Sequence, residues 1–171
     1  MLAAKHTPAD ALAIAAGIDL AALLLLGWRV EGGVEYAPAE LELVTAPSQD
    51  VAVTPAGETS AVARPRPGST ENAPVREMGI RNATGSEVRV EVSITPQSGE
   101  LDDVLGLRIV TDDRQVFAGS LAELVREGAG FPLAGGAETN LEIHAHLRED
   151  APVEAWAGRS GAVRIELGTR S

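Results

Sequence analysis

The chain is expected to be all-β, an antiparallel jelly roll or β-sandwich with one short helix, preceded by an N-terminal apolar helix that acts as a signal or anchor. Three observations carry that expectation. Seven or more short segments alternate apolar and polar residues and are separated by turn clusters. Glycine and proline are abundant, at 18 and 10 of 171 residues, as a turn-rich β chain requires. Helical punctuation surrounds a single body segment, Ser120 to Gly128.

Composition sets the outer bounds. Apolar residues make up 44% of the chain but aromatics only 3%, so Val, Leu, Ile and Ala must fill the core. The length is that of one domain with a modest appendage. Cysteine is absent, which removes disulfide scaffolds, thiolate metal sites and cysteine nucleophiles together. The net charge is −11 and the only lysine is Lys5. No basic patch exists for a phosphate backbone, so no nucleic-acid partner is expected.

The appendage comes first. Ala11 to Trp28 is apolar apart from Asp19 and follows Lys5 and His6. A spanning helix needs about 20 apolar residues, and a mid-span charge is costly. The uninterrupted piece, Leu20 to Trp28, has the length of a signal-peptide apolar region. Residues 1–35 therefore read as a secretory signal peptide or retained membrane anchor, and a buried amphipathic helix is the alternative. Ala37-Pro38-Ala39 has small residues at cleavage spacing but lies past the apolar end. The membrane is expected to be met only through this segment, and the body to be extracellular or at the cell surface.

Residues 36–60 read as a proline-rich arm and 61–171 as the sandwich. Six prolines (38, 47, 55, 65, 67 and 74) punctuate Tyr36 to Pro74. Leu41 and Leu43 share one side of a short strand, Val51 and Val53 one side of another, both read as Pro-bounded or edge strands. Ser86 to Ile94 alternates strictly, with Val88, Val90, Val92 and Ile94 on one face. Pro74 to Arg81 is expected to pair with it as a hairpin through Asn82-Ala83-Thr84-Gly85. Leu105, Leu107 and Ile109 alternate next, and Gln115 to Ala118 returns. Ser120 with Glu123 forms a capping box, Leu121, Leu124 and Val125 an apolar stripe, and Gly128 a stop. Thr139 to Leu147 alternates again, and Ala162 to Leu167 closes the body.

Motifs that carry chemistry are sparse. Glu142, His144 and His146 share one strand face, and same-face residues on a strand lie about 6.7 Å apart, close enough for two imidazoles to share a metal. Because Leu141, Ile143, Ala145 and Leu147 take the other face, we read the histidines as solvated and expect no cofactor and no metal. Gly158-Arg159-Ser160-Gly161 lacks the spacing of a serine elbow. Asp102-Asp103 and Asp112-Asp113 read as turn chemistry, without calcium-loop spacing. Asn82-Ala83-Thr84 fits a glycosylation acceptor but is also explained by a turn.

An ordered series of segments resembles the TasA/camelysin family of bacterial secreted biofilm-fibre proteins, whose precursors carry a SipW-type signal. Leu41-Glu42-Leu43-Val44 stands where that family has its first mature strand. Arg66-Pro67-Gly68-Ser69-Thr70 resembles its step before a strand, and Ile80-Arg81-Asn82-Ala83-Thr84-Gly85-Ser86 its turn. Leu107-Arg108-Ile109-Val110 through Val116-Phe117-Ala118-Gly119-Ser120-Leu121-Ala122-Glu123-Leu124 gives strand, turn and short helix in the family's order. Leu133-Ala134-Gly135-Gly136 takes the place of Leu-x-Pro-Gly, without its proline. Ala155-Trp156-Ala157-Gly158-Arg159-Ser160 resembles the terminal segment.

The resemblance implies a jelly-roll subunit exported to the cell surface, a structural protein that polymerises into biofilm-matrix fibres by donating an N-terminal strand to the next subunit. The implied donor residues are Leu41, Leu43, Val51 and Val53. The implied partner is the chain itself, together with other matrix or cell-surface components. Two alternatives stand beside it. One is a monomeric extracellular β-sandwich binding module. The other is a camelysin-like metallopeptidase, for which Glu142, His144 and His146 would be the ligands; the first reading is not an enzyme.

Overall fold

A computed structural model describes residues 28–29, 35–47, 51–68, 74–112 and 114–170. The chain divides into two compact units, Met1–Pro38 and Ala39–Ser171. In the first, strands β1 (Trp28–Arg29) and β2 (Glu35–Tyr36) pair antiparallel. The remainder of the apolar run, and the signal or anchor helix expected there, lie outside the described residues.

The second unit is all-β with one short helix. Its strands are β3 (Glu40–Pro47), β4 (Val51–Thr54), β5 (Thr59–Ala63), β6 (Arg76–Asn82), β7 (Val88–Gly99), β8 (Leu105–Thr111), β9 (Gln115–Ser120), β10 (Ala129–Leu133), β11 (Glu138–Leu147) and β12 (Ser160–Arg170). Helix α1 spans Leu121–Glu127. The strands form two five-stranded sheets, in the orders β10-β7-β12-β3-β5 and β4-β6-β11-β8-β9. Every strand pair in these sheets is antiparallel except β3 with β12.

One apolar core joins the layers. The first sheet contributes Leu41, Leu43, Val88, Val90, Val92, Ile94, Val163, Ile165 and Leu167; the second contributes Met78, Ile80, Leu105, Leu107, Ile109, Leu141, Ile143 and Ala145. The period-2 alternation of each strand places these residues on the inner faces. Leu121 and Leu124 of α1 enter the same core. The capping box is present: Glu123 N donates to Ser120 Oγ, and Ser120 N donates to Glu123 Oε2 at 2.7 Å. Val125, expected on the apolar stripe, is 48% exposed.

Two expectations are corrected here. First, Pro74–Arg81 and Ser86–Ile94 do not form a hairpin. Strand β6 pairs with β4 and β11, whereas β7 pairs with β10 and β12 in the opposite sheet. Two strands with one apolar face each can lie side by side or face each other across a core, and alternation is identical in the two cases. Second, residues 36–60 are not a separate arm. From Ala39 onward the chain belongs to the compact unit, and β3 is an interior strand, hydrogen-bonded on both sides. The 60/61 boundary falls inside β5.

Candidate functional site

Strand β3 is the element on which an assembly role depends. Leu41 and Leu43 have no exposed surface, and Glu40 and Glu42 point outward. Leu41 sits between Gly161 of β12 and Ala63 of β5; Leu43 sits between Val163 and Ala61. Leu41 thus has a small residue on each side, and Leu43 has one on its β5 side. Glu40 N donates to Arg159 O at 3.0 Å, and Thr45 Oγ1 lies 2.7 Å from Thr59 Oγ1. The other two donor candidates belong to the opposite layer. Val51 pairs with Asn82 and Val53 with Ile80, Val51 is buried and Val53 half-buried. The four residues thus face one core from two sheets and do not form a single strand.

The corner between β6 and β7 is clamped by Asn82, which is 1% exposed. Its Nδ2 donates to the carbonyls of Ser86, Leu133 and Ala134 at 2.8, 2.9 and 3.1 Å. Its Oδ1 accepts from Thr84 N at 2.9 Å and Thr84 Oγ1 at 2.7 Å. Asn82 therefore ties the sheet-crossing turn to the β10–β11 turn. All of its amide capacity is committed within the fold, so the turn reading holds over the glycan-acceptor one. Gly135 completes the joint, since a Cβ there would sit 2.5 Å from the Gly85 carbonyl carbon.

Glu142, His144 and His146 lie on the outer face of β11, the central strand of its sheet. The solvated reading is corrected for His144, which is 5% exposed. Alternation assigns a face but not what covers it, and a central strand has neighbours on both sides to shield its outer side chains. Opposite His144 on β8 stands Arg108, and opposite His146 stands Gly106. His144 Nε2 is 3.2 Å from Glu142 Oε2 and 3.5 Å from Arg108 Nη2. His146 lies flat over Gly106, where any Cβ would overlap its ring. Its Nδ1 and the Arg108 Nε are buried without a hydrogen-bond partner. Burial, and then the Arg108 charge, push the His146 pKa down. Among the described residues no group of three His, Asp or Glu side chains is placed to hold a metal ion.

The acidic pairs serve turns where they are described. Asp112 Oδ2 accepts from Asn140 N at 2.7 Å and Thr139 Oγ1 at 3.3 Å, joining the end of β8 to β11. Asp102 has its pKa raised by burial and then by the Asp103 charge. Sequence reasoning passed over Arg76, although its position announced it. It keeps the inward phase of Met78 and Ile80 in Arg-Glu-Met-Gly-Ile, and its Nη2 donates to Thr59 Oγ1 beneath β5. Arg108 and Gly106 carried no such signal, because their importance comes from register against β11.

No protein-family model matches the chain, and no curated protein matches it in sequence.

Proposed function

We propose that the chain is a secreted or cell-surface structural protein, a jelly-roll subunit of the TasA/camelysin kind that self-assembles into matrix fibres by strand donation. Residues 1–35 act as the signal peptide or membrane anchor that exports it. The observation that supports this reading best is the seat of β3. It lies near the beginning of the body, carries two fully buried leucines, and makes the one parallel pair among the described strands of the two sheets. A parallel neighbour cannot be supplied by a hairpin, so its slot between β12 and β5 can be filled by the chain's own β3 or by that of another subunit. In a fibre, backbone ladders give affinity and the Leu41 and Leu43 pockets give register.

The role is structural, without catalysis. The test is to express the full chain and a variant lacking residues 40–54, collect secreted material, sequence its N-terminus and image it. Filaments from the full chain and none from the deletion, with the deletion variant still folded by circular dichroism, support donation. Unchanged filaments from the deletion overturn it.

A further inference from the structure

The four sheet edges of the second unit are not protected alike. Edge β9 carries a bulge at its pairing with β8, between Ile109 and Val110, and edge β10 contains Pro132. Helix α1 joins them and lies against β7, β8 and β9. Edge β4 has only four residues. Edge β5, Thr-Ser-Ala-Val-Ala, has no charge, no proline and no bulge, and its Val62 is 69% exposed. Natural sheets blunt their edges with such devices because an unprotected edge pairs with another strand.

The charges flanking β5 indicate which strand. Glu58, Ser60, Val62 and Arg64 share one phase, with Glu58 before the strand and Arg64 after it. Both charged side chains are about half exposed, at 57% and 49%. If two copies of β5 run antiparallel about a two-fold axis at Ala61, residue numbers across the pair sum to a constant. Glu58 then stands opposite Arg64 of the second copy, twice per pair. Ser60 meets Val62, Thr59 meets Ala63, and Ala61 meets itself. The edge is complementary to its own copy in charge, size and phase.

We propose that β5 is a homodimerisation edge, joining two copies through an antiparallel β5–β5 pair and fusing their sheets into one of ten strands. The two-fold closes the assembly, so this contact by itself ends at a dimer. A five-residue edge is small beside the roughly 1,000 Å² expected of a stable interface, and the dimer is therefore weak and concentration-dependent. It does not rest on strand donation, because among the described residues no strand pairs with the outer side of β5, whichever β3 fills the slot beside it.

The absence of cysteine makes a clean test possible. In the purified full chain, Ala61→Cys places two thiols opposite each other in the dimer, with Cβ atoms about 4.5–5.5 Å apart. Mild oxidation should give a disulfide-linked dimer from Ala61→Cys and little from control Glu87→Cys, on an exposed turn. Equal cross-linking at both positions, or a persistent monomer at every concentration, overturns the proposal. A charge exchange reads the same contact without a thiol. Glu58→Arg alone and Arg64→Glu alone set like charges across the pair and should weaken dimerisation roughly tenfold, two exposed pairs being altered in each. The double exchange restores the intermolecular pairs while setting both native internal partners, Arg164 and Glu40, against like charges. Recovery of the dimer in the double variant thus cannot come from the internal ion pairs. No recovery, with the fold intact by circular dichroism, overturns the register. Filament imaging reports on strand donation separately, so either reading can fail alone.

Discussion

Replacing Asn82 by alanine should be among the most damaging single changes available outside the apolar core. The side chain makes five hydrogen bonds across two turns. The bond to Leu133 O is fully buried, and stranding that carbonyl costs about 1–3 kcal/mol. The other four are partly buried and can be replaced by water in part, at about 0.5 kcal/mol each. Together these give a loss of about 3–5 kcal/mol. With a urea m-value near 2 kcal/mol/M, the midpoint should fall by roughly 1.5–2.5 M. Asn82→Asp separates the two halves of the clamp. It keeps an oxygen for Thr84 but turns three donor contacts into oxygen facing oxygen, so at neutral pH it should be at least as unstable as Asn82→Ala. Urea titration followed by circular dichroism reads both. A loss under about 1 kcal/mol for alanine, or wild-type stability for aspartate, would refute the assignment of Asn82 as the corner clamp.

Three further outcomes are expected. Leu43→Ala should cost about 2–5 kcal/mol against less than about 0.5 kcal/mol for Val62→Ala, measured by urea titration; equal losses at the two positions would refute the placement of Leu43 in the core. Burial, and then the Arg108 charge, lower the pKa of His146, so its folded pKa lies below its unfolded one. The unfolded chain then binds the proton first, stability is complete above about pH 6.5 and declines as pH falls through the folded pKa. His146→Phe keeps a flat ring over Gly106 and should remove that portion of the slope in a thermal-melt series from pH 5 to 8. Gly135→Ala drives a methyl into the Gly85 backbone and should cost about 3 kcal/mol, whereas Gly136→Ala meets open space and pays only for its φ of 72°, about 1 kcal/mol.

Strand identity was legible in the sequence wherever one face is apolar and the other polar. Val88 to Ile94, Leu105 to Ile109, Leu141 to Leu147 and Val163 to Leu167 all lie in strands with the expected side inward. The capping box placed α1 because its signal is local, a hydroxyl and a carboxylate three residues apart. Sheet membership was not legible. Met78 and Ile80 on β6 and Val88 and Val90 on β7 have the same pattern as a hairpin would, and the difference lies in Asn82 reaching carbonyls more than fifty residues away in sequence. The histidine cluster was half legible for the same reason. Its face could be read from β11 alone, whereas Arg108 and Gly106 enter by register with another strand.

These long-range features bear directly on assembly. A strand assigned from local pattern as an outlying arm became an interior strand, which moves the free edge of that sheet from β3 to β5. An exposed β3 would have offered Leu41 and Leu43 to any apolar surface. Buried as it is, it offers nothing unless it leaves its slot, and leaving costs the two leucine pockets and ladders to both β12 and β5. If this chain donates strands as proposed, donation therefore has to be an exchange, in which each copy recovers from its neighbour the contacts it gives up. Exchange of that kind is slow when the slot is filled, because the leaving strand must break its ladders before the entering one can form its own. The β5 edge has no such barrier. Pairing there should appear on mixing and respond to dilution, while exchange of β3 should depend on how long the chain stays partly unfolded.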